Sequence, residues 1–377
     1  MKMKNLGKVG MAFFFSIVFT MGVLSGALAE GKYKDYPVPK ACMDQVRKEG
    51  SRLFIYDWAE WWPEDLFANF TKEFGVKITR DHFADSEEMV TKIKLNPKAP
   101  YDLVTGIGPE HVMRLKGLGL VRQLNHDWLP NVDAYLEDQY KKLPYDPGNH
   151  FQIGDSVYFT TYTYNSKYVD PNDPLIPSWK LLFEGKKYAG KITMIDNMFE
   201  TVGTALKYLG YSYNSVNEKE LEEARKVLLK QKPMVMAYDS WPRRLLVEEE
   251  AWISHLWVGD SWLLHQDMPT ILGALPTEGT FMALNTDFLP IGGKHPAAAH
   301  LFLNYLFRTD VNAKLIQWIG YPPVHKHVME LMSDEMKKWP GFIIKPEYAK
   351  KCDIFDIKAV TGRGRELRAK IWEELKK

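Results

Sequence analysis

Short apolar runs alternate along the chain with stretches whose apolar residues recur at helical spacing. Arg52-Leu53-Phe54-Ile55-Tyr56-Asp57 reads as a strand, and Leu66, Phe67, Phe70 and Phe74 line one face of a helix from Glu64 to Phe74 that Gly75 ends. Val76-Lys77-Ile78-Thr79 alternates as a strand does. Asp85-Ser86-Glu87-Glu88 predicts a capping box that opens a helix reaching Leu95, and Tyr101-Asp102-Leu103-Val104-Thr105 predicts the next strand. The same alternation returns with a strand over 191–195, a helix from Glu200 to Leu209 ended by Gly210, a helix over 218–230 and a strand over 251–257. Ala297 to Leu303 predicts an amphipathic helix. Strands separated by helices imply βαβ units and a largely parallel sheet. No Gly/Ser-rich linker and no repeat of 20–50 residues divides the chain, so two lobes are expected to be joined by ordered crossing segments. The candidates for these hinges are Gly154-Asp155-Ser156 and Pro276-Thr277-Glu278-Gly279. A chain that crosses twice makes each lobe discontinuous and the cleft between them the expected ligand site.

The N-terminus follows a different pattern. Lys2, Lys4 and Lys8 precede an apolar run from Met11 to Leu24, and Ala27-Leu28-Ala29 follows. This order predicts a signal peptide over residues 1–29, hence a periplasmic protein; a membrane anchor is the alternative, on a run shorter than the roughly 18–20 residues of a span. An oxidising compartment would permit Cys42 and Cys352 to pair.

Composition narrows the chemistry. The 377 residues are 45% hydrophobic and 26% charged, the composition of a globular chain of about two domains. Lys plus Arg (49) balance Asp plus Glu (48), and loss of residues 1–29 leaves 46 basic against 48 acidic side chains, so no basic field points to nucleic acid. There is no Gly-x-Ser-x-Gly elbow and no phosphate loop, and Gly106-Ile107-Gly108 lacks the third glycine of a dinucleotide fingerprint. His325 and His327 lie two apart in a Pro-rich stretch that reads as a surface loop rather than a metal site. No cofactor and no metal is expected.

What stands out is aromatic residues interleaved with single acids after predicted strands, where ligands bind in open α/β sheets. Trp58-Ala59-Glu60-Trp61-Trp62, Tyr238-Asp239-Ser240-Trp241 and Trp257-Val258-Gly259-Asp260-Ser261-Trp262 are three such clusters. Trp58 and Trp61 share a face if they lie in one helical turn, whereas Trp62 points elsewhere and reads as packing. An indole face beside a carboxylate suits an organic ammonium, through cation–π attraction and a charge-assisted hydrogen bond. The expected ligand is a cation.

These residues resemble the periplasmic spermidine/putrescine-binding proteins of polyamine ABC importers, within the bacterial extracellular solute-binding proteins. The anchors are Tyr56-Asp57-Trp58-Ala59-Glu60-Trp61, Phe70-Thr71-Lys72-Glu73-Phe74-Gly75-Val76-Lys77, Tyr101-Asp102-Leu103-Val104, Leu206-Lys207-Tyr208-Leu209-Gly210-Tyr211-Ser212, Trp257-Val258-Gly259-Asp260 and Ile319-Gly320-Tyr321-Pro322, in the family's order. The resemblance implies an α/β, two-lobed type II periplasmic-binding-protein fold, each lobe a mixed, mainly parallel sheet flanked by helices. Residues 50–154 plus 279–309 are then expected to form the first lobe, and 155–278 plus 310–377 the second. It implies a monomeric, non-catalytic receptor that delivers a polyamine to an inner-membrane permease. Trp58, Glu60 and Trp61 match the family's first-lobe contacts, and Trp257, Asp260 and Glu200 those of the second.

Several departures bear on the ligand. Asn197 stands where a spermidine binder is expected to carry an acid, Asn285 falls where putrescine-type relatives place another, and Gly106-Ile107-Gly108-Pro109 replaces the family's Pro-Ser. Fewer acids weaken the case for a ligand with two or three ammonium groups. Arg243 and Arg244 would suit a zwitterion, and a quaternary amine also fits an aromatic cage. A carbohydrate-cleaving enzyme using Glu60 and Asp260 is the catalytic alternative.

Overall fold

A computed structural model describes residues 36–377, and the expected signal peptide over 1–29 lies outside the described residues. Ten strands form one connected system: β1 (Arg52–Trp58), β2 (Lys77–Phe83), β3 (Leu103–Ile107), β4 (Ile153–Asn165), β5 (Ile192–Met194), β6 (Val235–Tyr238), β7 (Ile253–Trp257), β8 (Ile271–Ala274), β9 (Phe281–Phe288) and β10 (Asp353–Ile354). Their order is β2-β1-β3-β9-β4-β7-β5-β6, with β10 beside β9 and β8 beside β4. The β1–β2, β1–β3, β5–β6, β5–β7 and β9–β10 pairs are parallel, as the βαβ pattern predicts. The pairs β3–β9, β4–β9, β4–β7 and β4–β8 are antiparallel.

β4 organises everything else. Its first half pairs with β9, from Ile153 opposite Asp287 to Phe159 opposite Met282. Its second half pairs with β7, from Thr160 opposite Trp257 to Tyr164 opposite Ile253, and with β8. At about 3.3 Å per residue a 13-residue strand spans roughly 40 Å, enough to belong to both groups of strands. Every residue of β4 is buried, which only elements covering both faces can achieve. One core gathers Leu53, Trp62, Phe70, Phe302 and Ile316; another gathers Tyr162, Trp179, Met194, Leu206, Leu228 and Ile371. Segment 310–377 contributes to both: Val311 and Ile316 pack in the first core, and the helix Gly362–Lys376 packs in the second through Ile371 and Leu375.

Local expectations hold where short-range chemistry decides. The helix Glu64–Phe74 ends at Gly75 in the left-handed region (φ 67°). Asp85 caps Ser86–Leu95 by accepting the Glu88 N–H at 2.8 Å, while Glu88 reaches back to the N–H of Ala84 rather than that of Asp85.

Tertiary packing overrides other expectations. Trp58 ends β1, and the following residues form a turn, not a helix, with Glu60 at φ 60° and the Trp61 N–H donating to the Trp58 carbonyl at 3.3 Å. The helix Pro296–Leu306 is not amphipathic, since Ala297 to Leu306 are all buried. Its polar residues are matched inside: His300 Nε2 accepts the Asn125 N–H, and Asn304 bonds Asn131 and Pro37. His325 does not lie on a surface loop; it is buried, stacked on Tyr135 with ring centroids 5.1 Å apart. Gly154-Asp155-Ser156 lies inside β4, where the register against β9 shifts. Cys42 and Cys352 are separate thiols, donating to Ala297 and Tyr348 carbonyls respectively.

Gly203 shows how tight this packing is. It lies inside the helix Met198–Tyr208, and a Cβ there would stand 1.9 Å from Cε1 of Tyr213. Alanine gains roughly 0.5–1 kcal/mol over glycine in a helix interior, whereas overpacking costs roughly 1–3 kcal/mol. Gly203→Ala is therefore expected to lower unfolding free energy by about 1–2 kcal/mol in a urea titration; a gain would show that Tyr213 yields freely.

Candidate functional site

The helix Met198–Tyr208 starts directly after β5, and Asn197 caps it, its side-chain oxygen accepting the N–H groups of Phe199 (2.9 Å) and Glu200 (3.1 Å). That cap turns Glu200 inward, where it is 3% exposed. Its Oε2 accepts hydrogen bonds from the hydroxyls of Thr160 and Tyr213, and its Oε1 faces the indole N–H of Trp257 at 3.3 Å. Burial raises the Glu200 carboxyl above its usual range, against the pull of these three donors. Thr160 and Trp257 are register partners across β4 and β7, so the sheet itself brings two of Glu200's three donors together.

One turn beyond Trp257, Asp260 lies in the helix Val258–Asp267 and is half-buried. The Tyr321 hydroxyl donates to its Oδ1 at 3.2 Å. Burial pushes its carboxyl up to about 7, with that hydroxyl pulling the other way. The Tyr321 ring lies 5.8 Å from the ring of Trp61, and the Asp155 and Glu200 charges also act on it. Two of the three first-cluster indoles sit on Gly106: the Trp58 N–H donates to its carbonyl at 2.9 Å, and a Cβ at Gly106 would come within 2.6 Å of the Trp61 ring. Gly106 also has φ 67°, so glycine is required twice over. Trp58 packs edge-on against Phe83, and Trp62 is core beside Phe67 and Phe302.

A third acidic group lies on the β4–β9 seam. Asn285 is buried and donates to Ser156 Oγ at 3.1 Å, and that hydroxyl donates to Asp155 Oδ1 at 2.6 Å. Burial pushes Asp155 to about 7, while Ser156 and the Trp61 indole favour its charged form. Neighbouring Asp287 accepts the Gly106 N–H at 3.1 Å and is held well above the carboxylate range by burial and by the Asp155 charge.

Trp58, Trp61 and Asp260 are thus linked through Gly106 and Tyr321, and Glu200 is linked to Trp257, Thr160 and Tyr213, with Asp260 one helical turn beyond Trp257. Asn197 and Asn285 join through their neighbours, as a helix cap and as a donor to Ser156. Glu60 has an exposed side chain, and its carbonyl accepts the Trp318 indole N–H at 2.9 Å. Tyr238 faces the other way, edge-on to Trp372 at 5.5 Å with the Lys376 ammonium over its ring. Trp241 is 47% exposed. Arg243 pairs with Asp267, and Arg244 with Glu248 and Glu250, all on the surface.

Sequence reasoning missed Asp155, Asp287, Tyr213, Tyr321 and Glu110. Glu110 lies in the first turn of the helix Pro109–Gly117 with Oε2 buried and without a hydrogen bond, and its charge acts on Glu200 and Tyr158. It is a single acid just past a strand end, the signal that selected Asp260. Asp155 and Tyr321 were read only as a hinge and a family anchor, and no local pattern separates Asp287 from any strand residue. Among the described residues no group of three or more His, Cys, Asp or Glu side chains could hold a metal ion.

The model of the bacterial extracellular solute-binding proteins matches residues 65–343. The spermidine/putrescine-binding periplasmic protein of Escherichia coli strain K12 is 29% identical over 289 residues, covering 76% of this chain and 82% of that protein. Spermidine/putrescine-binding periplasmic protein 1 of Haemophilus influenzae is 26% identical over 319 residues, covering 80% and 85%. Among solved structures, a putative spermidine/putrescine ABC transporter from Listeria monocytogenes superposes with a TM-score of 0.79 at 23% identity, covering 87% of this chain and 99% of that one. The mixed α/β fold expected from the resemblance is the fold of these binding proteins. With the matched segment spanning most of its length, the chain belongs to the bacterial extracellular solute-binding protein family.

Proposed function

We propose that the chain is the substrate-binding component of an ABC importer. Exported behind a signal peptide over 1–29, it captures a putrescine- or spermidine-like polyamine in the periplasm and delivers it, as a monomer, to an inner-membrane permease. It catalyses nothing itself. The observation that carries this reading is the setting of Glu200 and Asp260: both are drawn out of water beside Trp257 and Tyr321, and among the described residues neither bonds to Lys, Arg or His. A carboxylate so placed is stabilised by an organic ammonium, which the indoles of Trp58, Trp61 and Trp257 would face. Relatives named as spermidine/putrescine-binding, putrescine/cadaverine-binding and putrescine-binding proteins support the same ligand class. In this reading residues 50–154 with 279–309 and 155–278 with 310–377 are the two lobes, the last segment also packing on the first core through Val311 and Ile316, with 154–156 and 276–279 as hinges, and ligand closes them as far as its preference for the closed state allows. The zwitterion reading loses its basis, because Arg243 and Arg244 are paired with surface acids. The enzyme reading needs Glu60 to face Asp260 across a sugar, and the Glu60 side chain is exposed.

Titration calorimetry on refolded, ligand-free protein tests the reading directly. Putrescine or spermidine is expected to bind at micromolar affinity or tighter; no binding of either overturns it. Asp260→Asn is expected to weaken putrescine binding at least about tenfold, a loss of about 1.4 kcal/mol, with circular dichroism unchanged. An unchanged dissociation constant would remove Asp260 from the site. pH gives an independent check. Asp260 titrates near 7 in the free protein and Glu200 above its usual range, and an ammonium pairs only with their ionised forms. Binding therefore releases protons below neutrality, and affinity is expected to rise about tenfold from pH 5.5 to 7.5 and then level off. A flat profile would mean that these carboxylates do not meet the ligand.

A further inference from the structure

Asp155 and Asp287 stand on β4 and β9, each 1% exposed. Asp155 is the extra residue of a bulge: Gly154 pairs with Thr286 and Ser156 with Asn285, so Asp155 has no partner across the seam. One oxygen of each acid is accounted for, Asp155 Oδ1 by the Ser156 hydroxyl and Asp287 Oδ1 by the Gly106 N–H. The Oδ2 atoms of both are buried without a hydrogen bond. The groups facing the pair are the Trp61 indole above Gly106, the Tyr321 phenol and, beyond it, Asp260. Among the described residues no Lys, Arg or His bonds to either acid. Asp287 lies opposite Ile153, two residues before Asp155 on β4, and the Asp155 charge acts on it; two dry carboxyls that repel one another do not both ionise, so the pair in the free chain keeps a proton. Burial and mutual repulsion work in that direction, with Asp155 near 7 and Asp287 higher still.

An alkylammonium offers what this pair lacks: three N–H donors and a positive charge. We propose, resting on the polyamine reading above, that Asp155 and Asp287 together seat a second ammonium group of the ligand beneath Trp61, making the chain selective for amines with at least two cationic ends. The first ammonium is taken by Glu200 and Asp260 beside Trp257. Seating the second transfers the pair's proton to solvent, so the charge brought in is matched by charge created. Asn285 and Asn197 then need not be acids: Asn285 orients Ser156 toward Asp155, and Asn197 caps the helix that carries Glu200.

The experiment is calorimetry of putrescine against 1-butylamine, at pH 7 in buffers of different ionisation enthalpy, on wild type, Asp155→Asn and Asp287→Asn. Wild type is expected to bind the diamine at least about a hundredfold more tightly than the monoamine and to release about one proton more with it. Each Asn variant is expected to lose about tenfold or more in putrescine affinity, to bind butylamine within about twofold of wild type and to lose the extra proton. The variants' fold is checked by thermal unfolding. A raised carboxyl destabilises the folded chain as pH climbs from the unfolded value toward the folded one, so Asp287→Asn is expected to gain in midpoint over wild type as pH rises from 5 to 8. Putrescine binding with no extra proton in wild type, or at unchanged affinity in both variants, overturns the second seat and leaves the polyamine reading standing. No amine binding at all overturns both. The wild-type proton count decides the matter even if a variant does not fold.

Discussion

Glu200 is a carboxylate removed from water and answered only by neutral donors: the hydroxyls of Thr160 and Tyr213 and the indole of Trp257. Neutral hydrogen bonds recover part of the cost of burying such a group, and a proton or a cation must supply the rest. Asp155 and Asp287 are in the same position, and Asp260 is half-buried; each is pushed upward by burial with no basic residue bonded to it among the described residues. A protein that meets this cost with internal arginines gains a rigid core. One that leaves the acids uncompensated keeps a place whose electrostatics favour a small cation from outside.

This arrangement depends on β4. Asp155, Ser156 and Thr160 are three of its residues, and its two halves pair with β9, which brings Asn285 and Asp287, and with β7, which brings Trp257. Asp155 and Asp287 are therefore set by strand register, which a strand buried on both faces holds firmly, while Glu200 and Asp260 are set by the helices that follow β5 and β7. Gly106, near the end of β3, completes the frame by taking the Trp58 and Trp61 indoles on one residue.

Much of this was legible in the chain. The helices Glu64–Phe74, Ser86–Leu95 and Glu218–Gln231 follow from apolar spacing with caps and stops, because a helix boundary is decided by residues within one turn of it. Trp257, Asp260 and Trp61 were singled out for a related reason, their place just past strand ends, and the structure links Trp61 to Asp260 through Tyr321. The same rule selected Trp241 and Tyr238, which do not join the others. Tyr238 turned instead to Trp372, more than a hundred residues away and invisible from its own neighbourhood.

The sequence by itself determined the alternation of strands and helices, the family anchors and the pairing of aromatic with acidic residues that points to a cation, since all of these are carried by short-range spacing and residue chemistry. Only the tertiary structure decided which acids are costly to charge. Asp155 and Asp287 differ from any surface acid solely in what packs around them, and the hydrogen bonds of Asn285 to Ser156 and of Asn197 to its helix N-terminus appear only in the folded chain. Desolvation and coupling between charges are sums over residues brought close by register across β3, β4 and β9, separated by up to about 180 positions in the chain, and no local pattern carries that sum.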